Sequence, residues 1–136
     1  MDTGIFNKSG LPDGNNLMNK ILVIDDEPEI LELTGKFLRK NGYQVFTALD
    51  AKDGWNKIIR EKPDLILLDI IMPHKDGFTL LRELQANDST RTIPVIILSA
   101  KGETGSIIEA QKYGALDYFI KPCDVPQILR YIKKYI

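Results

Sequence analysis

The sequence predicts a three-layer (βα)5 doubly wound α/β fold, and three observations carry that prediction. Short apolar runs alternate with stretches of helical period along nearly the whole chain. Three of the five runs are almost pure Ile, Leu and Val, the composition of strands covered on both faces in a parallel sheet. Each helical stretch is bracketed by residues that start or stop helices. Right-handed crossovers then favour an open sheet with helices on both faces, and the expected strand order is 2-1-3-4-5.

The first strand is read at Ile21–Ile24. A helix follows, with Ile30, Leu33, Thr34, Phe37 and Leu38 inward at i, i+3, i+4, i+7 and i+8, Pro28 near its start and Asn41-Gly42 at its end. The second strand is read at Tyr43–Thr47. Asp50 caps the second helix, which turns Ala51, Trp55, Ile58 and Ile59 inward and stops at Pro63. Leu65–Leu68 is the third strand, and Phe78, Leu81 and Leu84 mark the third helix. Val95–Leu98 is the fourth strand; Ile107, Ile108 and Gln111 suggest a shorter helix ended by Gly114. Tyr118–Ile120 is the fifth strand, and Val125, Ile128, Leu129 and Ile132 mark the last helix. Residues 1–18, rich in Gly, Asn and Asp with no apolar period, are read as an N-terminal extension, a tag or flexible arm; residues 19–136 form the domain.

Length and composition bound the function. At 136 residues, 43% hydrophobic and 27% charged, the chain is an ordinary single globular domain. Eighteen Lys and Arg against 19 Asp and Glu give no bulk attraction to nucleic acid or to an anionic membrane. The single cysteine, Cys123, rules out an intramolecular disulfide and fits a reducing cytoplasm. No apolar run reaches the roughly 18 residues that a membrane span needs.

In open α/β sheets, ligands bind beyond the carboxyl ends of the strands. Asp25, Asp26 and Glu27 follow the first strand, Asp69 the third, Ser99 the fourth and Lys121 the fifth. Several carboxylates in one crevice need compensation, which a hard divalent cation supplies. Mg²⁺ takes oxygen ligands and phosphate, and Asp25, Asp26 and Asp69 suit it; with no Cys or His in the set, zinc does not. A carboxylate beside such a cation can attack phosphorus and form an acyl phosphate, with Lys121 and the Ser99 hydroxyl holding the remaining oxygens. Glu27, nearer the helix start, is left open between that acidic set and a purely capping role, with Pro28 setting the first turn.

The stretches "ILVIDDEP", "PDLILLDIIMPHKDGF", "PVIILSA" and "GALDYFIKP", in this order and spacing, resemble the receiver domain of bacterial two-component response regulators over about residues 20–136. The resemblance implies a flavodoxin-like fold and a signalling switch of a phosphorelay in the cytoplasm. It implies Asp69 as phosphoacceptor and Asp25, Asp26, Asp69 and the Ile71 backbone carbonyl as ligands of Mg²⁺ or Mn²⁺. It implies Lys121 and Ser99 as phosphoryl-binding groups, and Ser99 with Tyr118 as the switch pair. The family's Lys-Pro peptide is usually cis, so a cis Lys121-Pro122 bond is expected, which only proline makes inexpensive.

The implied partners are a sensor histidine kinase or phosphotransfer protein as donor and an effector domain or protein as reader. The reader would engage the face of the fourth helix, fifth strand and fifth helix. Neither nucleic-acid binding by the domain itself nor membrane contact is implied. The domain would assist its own phosphorylation and slow autodephosphorylation rather than turn over external substrates. An aspartyl phosphatase would place a second Asp two residues after the nucleophile, where Ile71 stands; a nucleotide carrier would need a glycine-rich loop where "DDEP" stands.

The chain departs from the family pattern at "KPC", commonly "KPF", so Cys123 leaves less apolar bulk at the start of the last helix. Ile71 and Lys101, two residues after Asp69 and Ser99, border the path of attacking water and imply slow hydrolysis. His74, in a loop, is read as solvated, and "YIKKYI" as a helix with a basic outer face.

Overall fold

The computed structural model describes residues 19–72, 76–100 and 102–136. The N-terminal extension, His74 and Lys101 lie outside the described residues. The elements run β1 (Lys20–Ile24), α1 (Pro28–Lys40), β2 (Gln44–Ala48), α2 (Ala51–Glu61), β3 (Leu65–Leu68), α3 (Gly77–Ala86), β4 (Val95–Ser99), α4 (Thr104–Lys112), β5 (Asp117–Ile120) and α5 (Val125–Tyr135). All strand pairs are parallel, in the order β2-β1-β3-β4-β5. This is the doubly wound α/β arrangement that the alternating pattern predicts.

Burial on both faces explains why the central strands carry no polar alternation. Leu22, Ile24, Ile66, Leu68, Val95 and Ile97 face one side, where they meet Ala51 and Ile58 of α2, Phe78, Leu80, Leu81 and Leu84 of α3 and Ala110 of α4. Ile21, Val23, Leu65, Leu67, Ile96 and Leu98 face the other, against Leu31 and Leu38 of α1 and Ile128, Leu129 and Ile132 of α5. Each face burial removes side chains worth about 1.5–3 kcal/mol apiece from water. β5, at the sheet edge, is only half-buried, which fits its mixed composition.

Local chemistry sets the helix ends. Asp50 caps α2, its carboxylate accepting from the Asp53 N–H at 2.8 Å, and Asp76 caps α3 through the Thr79 N–H at 2.9 Å. Pro28 opens α1, where its missing N–H costs nothing. Gly42 and Gly114 follow α1 and α4 with φ of 96°, a conformation that favours glycine. Lys62, also left-handed, ends α2 ahead of Pro63.

The structure corrects the inward faces of three helices. In α1 the buried residues are Leu31, Thr34, Gly35 and Leu38, and Leu33 is 62% exposed. Packing of Leu31, Leu38 and Val45 on this side of the sheet selects that stripe of α1 and leaves Leu33 outside it. Ile59 of α2 and Ile108 of α4 are likewise exposed, and α4 buries Ser106 and Ala110 and begins at Thr104, three residues before the predicted apolar pair. β2 starts one residue later than predicted, with Tyr43 buried just before it. Among the described residues, no helix is long and apolar enough to cross a membrane.

Candidate functional site

Backbone pairing brings the strand ends together. Ile24 of β1 is in register with Leu68 of β3, so Asp25 and Asp69 follow side by side. The Asp69 N–H donates to the Ile24 carbonyl at 2.9 Å, and the Asp25 N–H to the Ala48 carbonyl at 3.0 Å. On the other flank Ser99 pairs with Ile120, and the Lys121 N–H donates to the Ser99 carbonyl at 2.8 Å. The sheet therefore delivers residues far apart in sequence to one edge.

The side chains converge. Asp25, Asp26 and Asp69 each present a carboxylate oxygen within 4.8 Å of the others. Asp25 and Asp69 are buried, and Asp26 is exposed. The Lys121 ammonium reaches in from the end of β5, 2.6 Å from Asp25 Oδ2 and 3.3 Å from both Asp69 Oδ2 and Glu27 Oε1. The second oxygens are held by backbone: Asp25 Oδ1 accepts from the Glu27 N–H and Asp69 Oδ1 from the Ile71 N–H, both at 3.0 Å. Each buried carboxylate thus offers an ordered pair of oxygens, one tied to backbone and one to the ammonium. The Lys121-Pro122 peptide is cis.

The electrostatics follow. Burial pushes the Asp69 carboxyl above its ordinary value, aided by the Asp25 charge and opposed by the Ile71 N–H and Lys121. Desolvation works against the Lys121 ammonium, but hydrogen bonds and charge from Asp25 and Asp69 outweigh it and hold the group charged well above its usual range. Four carboxylates, with Glu27, face one ammonium, a net charge of about −3 that favours a small cation at the oxygens of Asp25, Asp26 and Asp69. These donors are hard and all-oxygen, and they fit Mg²⁺ or Mn²⁺.

Ser99 is fully buried at the end of β4, close enough to Tyr118 of β5 to act on its phenol. Burial raises the Tyr118 phenol above its ordinary value, the Ser99 hydroxyl opposing the shift. Ile71 is 49% exposed at the crevice lip. Cys123 is half-buried and packs against the α1–α5 side of the core, its thiol pushed up by burial. Beside it lies a cleft of about 410 Å³, bounded by Leu33, Thr34, Val125 and Ile128.

Two features of the site are not legible as pattern. Glu27 occupies the N-cap position of α1, yet its side chain makes no capping hydrogen bond; it turns to Lys121 instead. The capping role left open for it is therefore absent, because a nearby ammonium attracts a carboxylate more strongly than an N–H does. Gly77 is the second: a Cβ there would stand 2.5 Å from the Ile70 Cα and 2.7 Å from the Asp69 carbonyl oxygen. The α3 start is thus pressed against the loop that carries Asp69, which only glycine permits.

Known proteins resemble this chain in sequence and in fold. Residues 21–133 match the family described as response regulator receiver domain. Sporulation initiation phosphotransferase F of Bacillus subtilis (strain 168) is 39% identical over 121 residues, 88% of this chain and 96% of that protein. Protein PilH of Pseudomonas aeruginosa is 40% identical over 116 residues, 85% of this chain and 95% of that protein. The DNA-binding dual master transcriptional regulator RpaA of a Synechocystis strain is 39% identical, but the match spans only 48% of its length. The solved CheY-like receiver domain protein of Methanospirillum hungatei JF-1 superposes with a TM-score of 0.82 at 29% identity, over 87% of this chain and 93% of that one. The chemotaxis protein CheY4 of Vibrio cholerae, at 24% identity and a TM-score of 0.83, shares the fold over 88% of this chain and all of its own. With the strand order, the acidic strand ends and these relatives in agreement, the chain belongs to the response regulator receiver domains of two-component systems.

Proposed function

We propose that the domain is a phosphoryl-accepting switch in which Asp69 takes the phosphoryl group from a histidine kinase or phosphotransfer protein. The observation that carries this reading is the convergence of Asp25, Asp26 and Asp69 with Lys121 at the strand ends. Among the described residues no backbone N–H donates to Asp69 Oδ2, which faces the ammonium, so it is the oxygen placed to attack phosphorus. Asp25, Asp26, Asp69 and the Ile71 carbonyl would hold a Mg²⁺ or Mn²⁺, which when bound neutralises charge on the phosphoryl oxygens. Lys121 then exchanges a carboxylate partner for a phosphoryl oxygen and stays charged throughout, as its raised pKa favours.

The same reading assigns Ser99 and Tyr118 the response. A phosphoryl group at Asp69 offers the Ser99 hydroxyl a stronger, charged acceptor than the Tyr118 phenol. Drawing the Ser99 hydroxyl away from Tyr118 would free the ring and bias the α4-β5-α5 surface between two arrangements that a partner reads. This is signalling, with self-assisted phosphorylation and slow hydrolysis, in a cytoplasmic setting.

The test is phosphorylation by acetyl phosphate, followed by intact mass. Wild-type protein is expected to gain one phosphoryl group only with Mg²⁺ or Mn²⁺ present, and Asp69→Asn none. Uptake by Asp69→Asn, or uptake in excess chelator at the same rate, would sink the assignment.

A further inference from the structure

We propose that Glu27 determines which phosphodonors the site accepts, disfavouring small anionic acyl phosphates and favouring a protein donor that brings positive charge to the crevice mouth. The inference rests on Asp69 being the phosphoacceptor. Glu27 stands where a helix cap would stand, makes no cap bond, and spends its carboxylate on Lys121 at 3.3 Å. Its side chain remains 60% exposed, whereas those of Asp25 and Asp69 are almost wholly enclosed. Asp26 is exposed as well but belongs to the cation set, so Glu27 is the exposed acid left to meet an incoming donor.

Geometry ties Glu27 to the reacting atoms. Its Oε1 and the Asp69 Oδ2 lie at the same distance from a single ammonium, so they are within two hydrogen-bond contacts of each other. A phosphoryl group attacked by Asp69 and bound by Lys121 must approach past the Glu27 charge. Lys121 must also loosen its hold on Glu27 to engage a phosphoryl oxygen. Both effects oppose a free dianion. A protein donor with a cationic side chain near its phosphoryl group reverses the first effect by pairing with Glu27, and relieves the second by releasing Lys121.

The transfer itself is the same for either donor. An Asp69 carboxylate oxygen forms a bond to phosphorus as the donor bond breaks. From acetyl phosphate the P–O pair leaves on acetate; from a phosphoimidazole the P–N pair leaves on the ring nitrogen, which the ring's second N–H leaves neutral. Glu27 takes no part in either bond change. It acts on the approach and on Lys121, so its signature is a dependence on donor charge and on salt.

The experiment compares acetyl phosphate, a dianion, with phosphoramidate, a monoanion at neutral pH, on the full chain with Mg²⁺, by intact mass over a range of ionic strength. Glu27→Gln is expected to raise the second-order rate for acetyl phosphate roughly three- to tenfold at low salt, less for phosphoramidate, with the gain fading as salt rises. Glu27→Asp, which keeps the charge, is expected to retain the wild-type donor ratio. Thermal midpoints of the variants confirm that each is folded. A Glu27→Gln protein that is labelled at Asp69 with an unchanged donor ratio and salt dependence overturns the assignment of Glu27. Labelling of Asp69→Asn in the same series overturns the acceptor reading instead, so the two failures are distinct.

Discussion

Lys121 is the cation on which three carboxylates converge, and two of them are nearly enclosed. Replacing it by Met leaves Asp25 and Asp69 buried without a counter-charge, a change that costs about 3 kcal/mol where no metal is bound. In chelator, Lys121→Met is expected to melt well below wild type at neutral pH, with the deficit shrinking in acid as Asp69 takes up its proton. The lysine's own contribution holds from neutral pH into alkali and is lost only as pH rises through its raised folded value. Asp69 behaves in the opposite sense. Burial raises its carboxyl, so the folded protein keeps that proton to higher pH than the unfolded chain does. Stability must then fall as pH rises from the ordinary carboxylate value through the raised one. Asp69→Asn is expected to remove that fall: in chelator its thermal midpoint should lie a few degrees above wild type at neutral pH and coincide with it in acid. A midpoint below wild type at neutral pH would show that the bond to Lys121 outweighs the cost of burial.

At the scale of elements, two helix starts do different work. Asp50 only caps α2, so Asp50→Ala is expected to cost about 1 kcal/mol and leave phosphoryl uptake unchanged. Gly77 opens α3 against the Asp69–Ile70 backbone. Gly77→Ala must move either the helix or the loop, because the clash is with backbone and cannot be relieved by a rotamer. The expected cost is about 2 kcal/mol or more, together with a slower uptake at Asp69. Equal rates in the two variants at a temperature where both are folded would show that the Asp69 loop does not depend on that contact.

For the whole molecule, the sheet edge at β2 is closed to further pairing. β2 turns its Gln44 N–H and Ala48 carbonyl toward β1, which leaves the Val45 and Thr47 carbonyls on the outside. Arg39 of α1 donates to the Val45 carbonyl at 2.9 Å, and Lys57 of α2 donates to that of Thr47. Each acceptor that a foreign strand would need is already taken by a cation from a flanking helix. Arg39→Met combined with Lys57→Met is therefore expected to show concentration-dependent self-association by sedimentation velocity, at conditions where wild type and the single variants do not. Gly35 belongs to this device: a Cβ there would stand 3.3 Å from the Arg39 guanidinium.

The sequence by itself determined the element order, the two-sided burial of the central strands and the polar residues that end them. Those follow from local chemistry: apolar runs of strand length, helical periods, Asp50 as a cap, glycine after α1 and α4. The tertiary structure decided what those residues do to one another. Leu33, Ile59 and Ile108 fit a helical stripe as well as their buried neighbours do, and only packing against the sheet selects which stripe turns inward. Glu27 can be read as a cap because capping is a local interaction; its partner Lys121 is 94 residues away and reaches it only through the register of five strands. The need for glycine at Gly77 is likewise a matter of which backbone lies opposite, a distance that no spacing in the sequence encodes.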